Sequence, residues 1–223
     1  MNVKRYGHLM DEDIEDNMSL VMENGKAVWK DVRPRLYFSR ESEDITMPTK
    51  REDDACYDLY PYFEEDIIVI PAHETKMIST GLRTWMPKGY FMRLMERGST
   101  GTRGMGQRAG IVDQNYTGEI FVPITNHNDK PLWIMKEKAV NQFINKSKLI
   151  FNSYDIIEVD KLNSQGIIDI YPGQEIIVYP YEKAICQAAI LPVPTFVVEE
   201  ISKEDIVNRN TERGEGMLGS SNK

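Results

Sequence analysis

The sequence predicts an all-β fold. Short apolar or alternating runs recur between turn signals from about residue 33 to 128, and Pro71, Pro87, Pro123 and Pro131 exclude long helices through that stretch. Strand-like runs then resume late in the chain, in GIIDIYPGQEIIVYP and KAICQAAILPVPTFVVEEI.

Taken in order, residues 1–33 read as an N-terminal extension. It carries an acidic run, Asp11, Glu12, Asp13, Glu15 and Asp16, and then LVMENGKAVW, in which Asn24-Gly25 is a hairpin turn signal. The segments RLYF, DIIVIP, TKMISTGLRTWMP, GYFMRLM and GEIFVPITN follow as strands, with the clearest alternation in the last. The stretch KEKAVNQFINKSKLI breaks the pattern, because Val140, Phe143, Ile144 and Ser147 share one helical face. A small mixed α/β insertion is therefore expected at about 131–172, inside a main domain of 34–201. From 202 to 223 the chain turns polar and reads as a flexible arm.

The bulk numbers narrow the function classes. At 223 residues, 41% hydrophobic and 28% charged, the chain is long and apolar enough to bury a real core. No run approaches the roughly 20 apolar residues of a membrane span, and MNVKRYGHLMDEDIEDN lacks the apolar stretch of a signal peptide, so a cytoplasmic protein with no membrane role is expected. Cys56 and Cys186 form no CxxC, and three histidines supply a cysteine-histidine metal site poorly. A net charge of −8 argues against a nucleic-acid binder, whose affinity comes from clustered Lys and Arg. A small polyanion remains open to it, given local arginines and a divalent cation.

Four stretches carry chemistry. DDACYDLYP places acids around an apolar strand, and KAICQAAILPVP holds a lone Gln187. ERGSTGTRGMG has the make-up of an anion loop: glycines expose backbone N–H groups, Ser99 and Thr100 add donors, and Arg97 adds a planar fork. It has no GKS or GKT, which excludes the P-loop of kinases and ATPases. In AGIVDQNYTGEI, Asp113 ends an apolar pair and Tyr116 returns after a turn, a carboxylate that could deprotonate a water beside a ring that could pack on a sugar or base. The ending NTERGEGMLGSSNK spaces Gly214, Gly216 and Gly219 as GxGxxG, but too few residues follow to form the helix a dinucleotide fold requires.

In this order, the four stretches and the ending resemble the five motifs of trimeric dUTPases. DACYDLY is similar to DAGYDLYA, ERGSTG to PRSG, AGIVDQNYTGEI to G[VI]ID..Y.GEI, KAICQAAILPVP to RIAQLI.LPV, and RGEGMLGSS to RGxGGFGSTG. The resemblance implies a jelly-roll-like β-barrel subunit, three of which share active sites at their junctions. It implies hydrolysis of dUTP to dUMP and pyrophosphate, which keeps uracil out of DNA. Asp113 would activate the attacking water, Arg97, Ser99 and Gln187 would contact phosphates with Gly98 and Thr100 beside them, and Asp58 would hold waters of Mg²⁺. The hairpin from Gly110 and Ile111 to Tyr116 would read uracil, with Tyr116 rejecting a ribose. The arm would close as a lid through Arg213, Gly216, Leu218, Gly219 and Ser220.

The pattern departs in places. Glu96 stands for the proline of the second motif and Gly98 for its serine, while Met217 and Leu218 replace a glycine and the phenylalanine that stacks on uracil. KEKAVNQFI, around Gln142, also resembles the fourth motif; Gln187 is preferred because its stretch leads into the arm, at the cost of an insertion like that of some bacteriophage members. That insertion could also serve a protein partner. A dCTP deaminase is the nearest rival, but Pro123 stands where its catalytic glutamate would fall. A nucleotide-binding regulatory module is the rival from another class.

Overall fold

The computed structural model describes residues 18–143, 155–158 and 175–209. These fall into two compact units, divided between Pro192 and Val193.

In the first unit, strands β1 (Met18–Glu23) and β2 (Lys26–Asp31) form a hairpin closed by Asn24 and Gly25, both at positive φ. Three four-stranded sheets follow. The first orders β3 (Tyr37–Arg40), β6 (Thr75–Trp85), β10 (Glu119–Asn126) and β8 (Met105–Gln107). The second orders β12 (Asp155–Glu158), β13 (Glu175–Pro180), β11 (Leu132–Met135) and β5 (Ile67–Ile70). The third orders β4 (Tyr57–Leu59), β14 (Cys186–Pro192), β7 (Tyr90–Met95) and β9 (Ile111–Val112). The class is all-β as the sequence predicts, laid out as three separate four-stranded sheets that share one main core.

Alternation explains how that core fills. Ile78, Thr80, Leu82 and Thr84 of β6 and Ile120, Val122 and Ile124 of β10 point inward, where they meet Met92, Leu94, Leu132, Ile134, Ile177 and Ile185. A smaller cluster lies on the other side of the second sheet, where Trp133, Met135, Ile176 and Val178 pack with Ala139 and Val140. Those two come from helix α2 (Glu137–Phe143), the helical break that the sequence shows; Ile144 and Ser147 lie outside the described residues. The segment read as an insertion from 131 thus opens with a sheet strand. All four residues of β11 are buried, between β5 and a parallel β13, so the departure from the sheet begins at α2.

Among its described residues the second unit has one short helix, α3 (Lys203–Val207), capped by Ser202, whose Oγ accepts from Asp205 N at 3.0 Å.

Candidate active site

Strand β14 brings three of the motifs together. It runs between β4 and β7, so that Gln187 lies opposite Asp58 on one side and Met95 on the other. Two residues past Met95, Arg97 leads into α1 (Gly98–Gly101), a single turn. Its guanidinium grips Asp58 with two donors, Nε to Oδ1 at 2.8 Å and Nη2 to Oδ2 at 3.0 Å, the fork geometry that makes arginine selective for carboxylates and phosphates. Nη1 donates to the Ala184 carbonyl at 3.2 Å and faces the Ser99 hydroxyl at 3.4 Å. Gln187 Nε2 donates to the Glu96 carbonyl at 2.7 Å, which ties β14 to the start of the loop.

Asp58, Arg97, Gly98, Ser99 and Gln187 therefore line one open cleft of about 300 Å³. Thr100 is placed differently from expectation. It is buried, and its hydroxyl accepts from Arg97 N and donates to Arg97 O, both at 3.1 Å. That hydroxyl holds the turn, which leaves Ser99 as the hydroxyl facing the cleft. Beneath the arginine, Tyr179 is buried and donates to the same Ala184 carbonyl at 2.6 Å; burial pushes its phenol up to about 12. Burial likewise pushes the Cys186 thiol up.

The third motif stands apart. Strand β9 pairs with the far end of β7, Val112 opposite Met92. Gly110 enters it at φ +108°, where an added Cβ would lie 2.6 Å from the Leu94 carbonyl, so a side chain would push the two strands apart. After Val112 the chain turns tightly, Tyr116 N donating to Asp113 O at 3.0 Å, and Gln114 Oε1 accepts from Gly89 N at 2.7 Å to hold the turn against the start of β7. Tyr116 donates its hydroxyl to the Glu119 carbonyl at 2.9 Å, and the residue is 45% exposed. Asp113 and Ile111 are exposed, and the Asp113 carboxylate has no hydrogen bond among the described residues.

The register measures the gap between these regions. Gln187 is level with Met95, whereas Asp113 lies one residue beyond the level of Met92. That is roughly 13 Å along the strands plus two strand spacings of ~5 Å across them. Within one chain, Asp113 and Tyr116 do not reach the cleft of Arg97 and Gln187.

Arg213, Gly216, Leu218, Gly219 and Ser220 lie outside the described residues. Gln142, the competitor for the fourth motif, is on helix α2, while Gln187 is in the cleft. The sequence reading missed Arg51, Asp54, Ala55 and Cys56, which also line the cleft. The basic pair Lys50-Arg51 just ahead of the first motif was the available signal. Arg51 Nε donates to Asp54 Oδ2 at 2.8 Å and holds that carboxyl below its ordinary range.

Among the described residues, no group of three or more His, Cys, Asp or Glu could cage a metal. The cleft does offer the carboxylates of Asp54 and Asp58, hard oxygen donors suited to Mg²⁺, which commonly takes one or two carboxylates and completes its shell with water and substrate phosphates.

A family model described as dUTPase matches residues 43–169. The chain belongs to the dUTPase family. The match spans Asp58, Arg97 and Asp113 and stops before Gln187, which the structure places on the cleft wall beside Asp58. The deoxyuridine 5'-triphosphate nucleotidohydrolase of Saccharomyces cerevisiae is 35% identical over 133 residues, 59% of this chain and 87% of the yeast protein. The Candida albicans enzyme of that name is 27% identical over 179 residues, 79% of this chain and 81% of its own. Among solved structures, the dUTPase of Staphylococcus bacteriophage 80alpha with dUPNHPP superposes with a TM-score of 0.57 at 20% identity, covering 83% of this chain and 97% of the phage protein. A mutant dUTPase of S. aureus phage phi11, described with a structural Mg(II) ion, gives 0.51 at 18%, covering 76% and 97%. At these identities the solved structures establish the shared fold.

Proposed function

We propose that this dUTPase-family chain hydrolyses dUTP to dUMP and pyrophosphate. The observation that carries the reading is the convergence of Asp58, Arg97, Ser99 and Gln187 in one cleft, from three separated motifs of a family whose named relatives are dUTP nucleotidohydrolases. The cleft is built for the phosphates: a planar guanidinium, a facing hydroxyl, and the backbone of Gly98 at the start of α1.

On this reading, the hairpin half supplies the nucleoside side and the base. Asp113, exposed and without a partner among the described residues, accepts a proton from a water as that oxygen attacks the α-phosphorus. The bond from the α-phosphorus to its bridging oxygen breaks and pyrophosphate leaves, with Arg97 and Ser99 balancing the charge on the phosphate oxygens. The Tyr116 ring packs against the deoxyribose and leaves no room for a 2'-hydroxyl, while backbone groups of 110–116 read the uracil edge. Asp58 would hold Mg²⁺ through the metal's waters, and the ion would supply charge neutralisation along the phosphates. Each Asp58 oxygen keeps a lone pair beyond its Arg97 bond, so the carboxylate could accept from such waters without releasing the guanidinium.

Since the two halves do not meet within one chain, we read the working enzyme as a homotrimer in which the cleft of one copy faces the hairpin of its neighbour. The main domain would then be 34–201, with 202–223 closing as a lid through Arg213 and its glycines. No helix among the described residues is long and apolar enough to cross a membrane. A deaminase reading loses its base, since Pro123 sits within β10 opposite Met77.

The test is pyrophosphate release with Mg²⁺ from dUTP, UTP, dCTP and dTTP. Release from dUTP far above the others is the expected outcome. Equal release from UTP would defeat the Tyr116 gate, and no release would leave a binding module.

A further inference from the structure

We propose that Arg51 is a second phosphate-binding guanidinium of the cleft, held by Asp54 until the nucleotide arrives. The inference rests on the reading that this cleft takes the phosphates of dUTP, and it names a contact beyond the motif residues.

The loop that carries Arg51 is anchored on the site itself. Thr49 and Asp58 pair through two backbone hydrogen bonds, Asp58 N to Thr49 O at 2.7 Å and Thr49 N to Asp58 O at 3.2 Å, so residues 50–56 form a loop whose base is a cleft residue. Thr49 Oγ1 and Tyr60 OH, 2.7 Å apart, pin that base again. At the tip, Asp54 N donates to Arg51 O at 3.2 Å and closes a turn that sets Arg51 on the cleft wall. The adjacent cation is engaged elsewhere: Lys50 Nζ donates to the carbonyls of Arg51 and Glu52 at 3.3 and 3.1 Å and does not line the cleft.

The two cleft arginines differ in what they have left to give. Arg97 commits Nε and Nη2 to Asp58 and Nη1 to Ala184 and Ser99. Arg51 commits only Nε, to Asp54, and its two terminal nitrogens have no hydrogen bond among the described residues. Its side chain is 88% exposed, so it can swing without disturbing the core. Arg51 and Arg97 against Asp54 and Asp58 leave the lining with no net charge, while a triphosphate brings several negative charges. An anion that replaces Asp54 as partner of Arg51 gains a two-donor edge, and Asp54, pushed off it, becomes a free oxygen donor on the same wall.

The experiment is calorimetric binding of a non-hydrolysable imido analogue of dUTP, and of deoxyuridine, with divalent metal chelated, to the wild type, Arg51→Gln and Asp54→Asn. Arg51→Gln should weaken the analogue by about tenfold, the scale of one charge-assisted hydrogen bond. It should also flatten the salt dependence and leave deoxyuridine unchanged. Asp54→Asn, which releases the guanidinium, should bind the analogue as tightly as wild type or more tightly. Weakening in Arg51→Gln without weakening in Asp54→Asn is the signature, because a purely structural Arg51–Asp54 pair would be damaged alike by either change. Wild-type affinity in Arg51→Gln, or equal weakening in both variants, would overturn the assignment. Failure of the wild type to bind the analogue would bring down the dUTP reading itself, and this inference with it.

Discussion

The cleft and the hairpin show two ways of presenting a charged group. In the cleft, Asp58 and Arg97 neutralise each other across two short hydrogen bonds, about 30% exposed, on strands locked by register and backed by buried Tyr179. On the hairpin, Asp113 is exposed and its carboxylate has no partner among the described residues, and its backbone is fixed by the tight turn to Tyr116 and by Gln114. Phosphate recognition needs donors held in place before the ligand arrives, whereas a general base needs an open lone pair and an accurate position. On the proposed reading, the division of labour would follow from which side chains already have partners.

The largest effect that could break this contrast is on turnover. Asp113→Asn should fold normally and still bind the imido analogue, yet lose roughly 10²–10⁴ of kcat, the usual weight of a positioned base. A variant that also lost binding would put Asp113 in the recognition half instead.

A smaller effect is expected on selectivity. Tyr116→Ala should keep most dUTP turnover and raise UTP turnover relative to it by ~10–200-fold, the range a pocket contact discriminates. Competition kinetics with mixed dUTP and UTP reads this directly, and an unchanged ratio would remove Tyr116 from the sugar contact.

The smallest effect concerns stability, and it belongs to the cleft alone. Burial raises the Tyr179 phenol from 10.0 to about 12, so the protonated form is favoured in the folded protein. Its contribution is complete below pH 10 and lost as pH rises toward 12, because over that window the unfolded chain releases the proton and the folded one retains it. Thermal melts should fall more steeply between pH 10 and 12 for wild type than for Tyr179→Phe, by ~2 kcal/mol at the upper end.

Much of this was legible in the sequence, for identifiable reasons. Alternation in GEIFVPITN and proline spacing read as sheet because the pleat turns successive side chains to opposite faces, and β10 shows that pattern as buried Ile120, Val122 and Ile124. The helical break around Val140 was equally readable, and Val140 itself is buried against the second sheet; Ile144 and Ser147 lie outside the described residues. The position of β11 was not, since a buried four-residue strand is locally indistinguishable from the start of a buried insertion, and only its pairing with β5 and β13 places it. The motif residues identified the cleft, but the fates of Thr100 and Arg51 depend on which hydroxyl turns inward and which loop folds over the sheet. Those are tertiary outcomes. Nor does sequence order reveal that Gln187 and Asp113 sit at opposite ends of one sheet.

That separation is the central claim, and mixing two inactive variants tests it most directly. Arg97→Gln and Asp113→Asn chains, each without turnover on its own, should be unfolded together and refolded in equal amounts. If each site joins the cleft of one copy to the hairpin of another, the mixture should regain roughly a quarter of wild-type pyrophosphate release from dUTP, the share of junctions that pair two intact halves. A mixture as inactive as its components, while wild type refolds to full activity, would show that each chain builds its whole site alone.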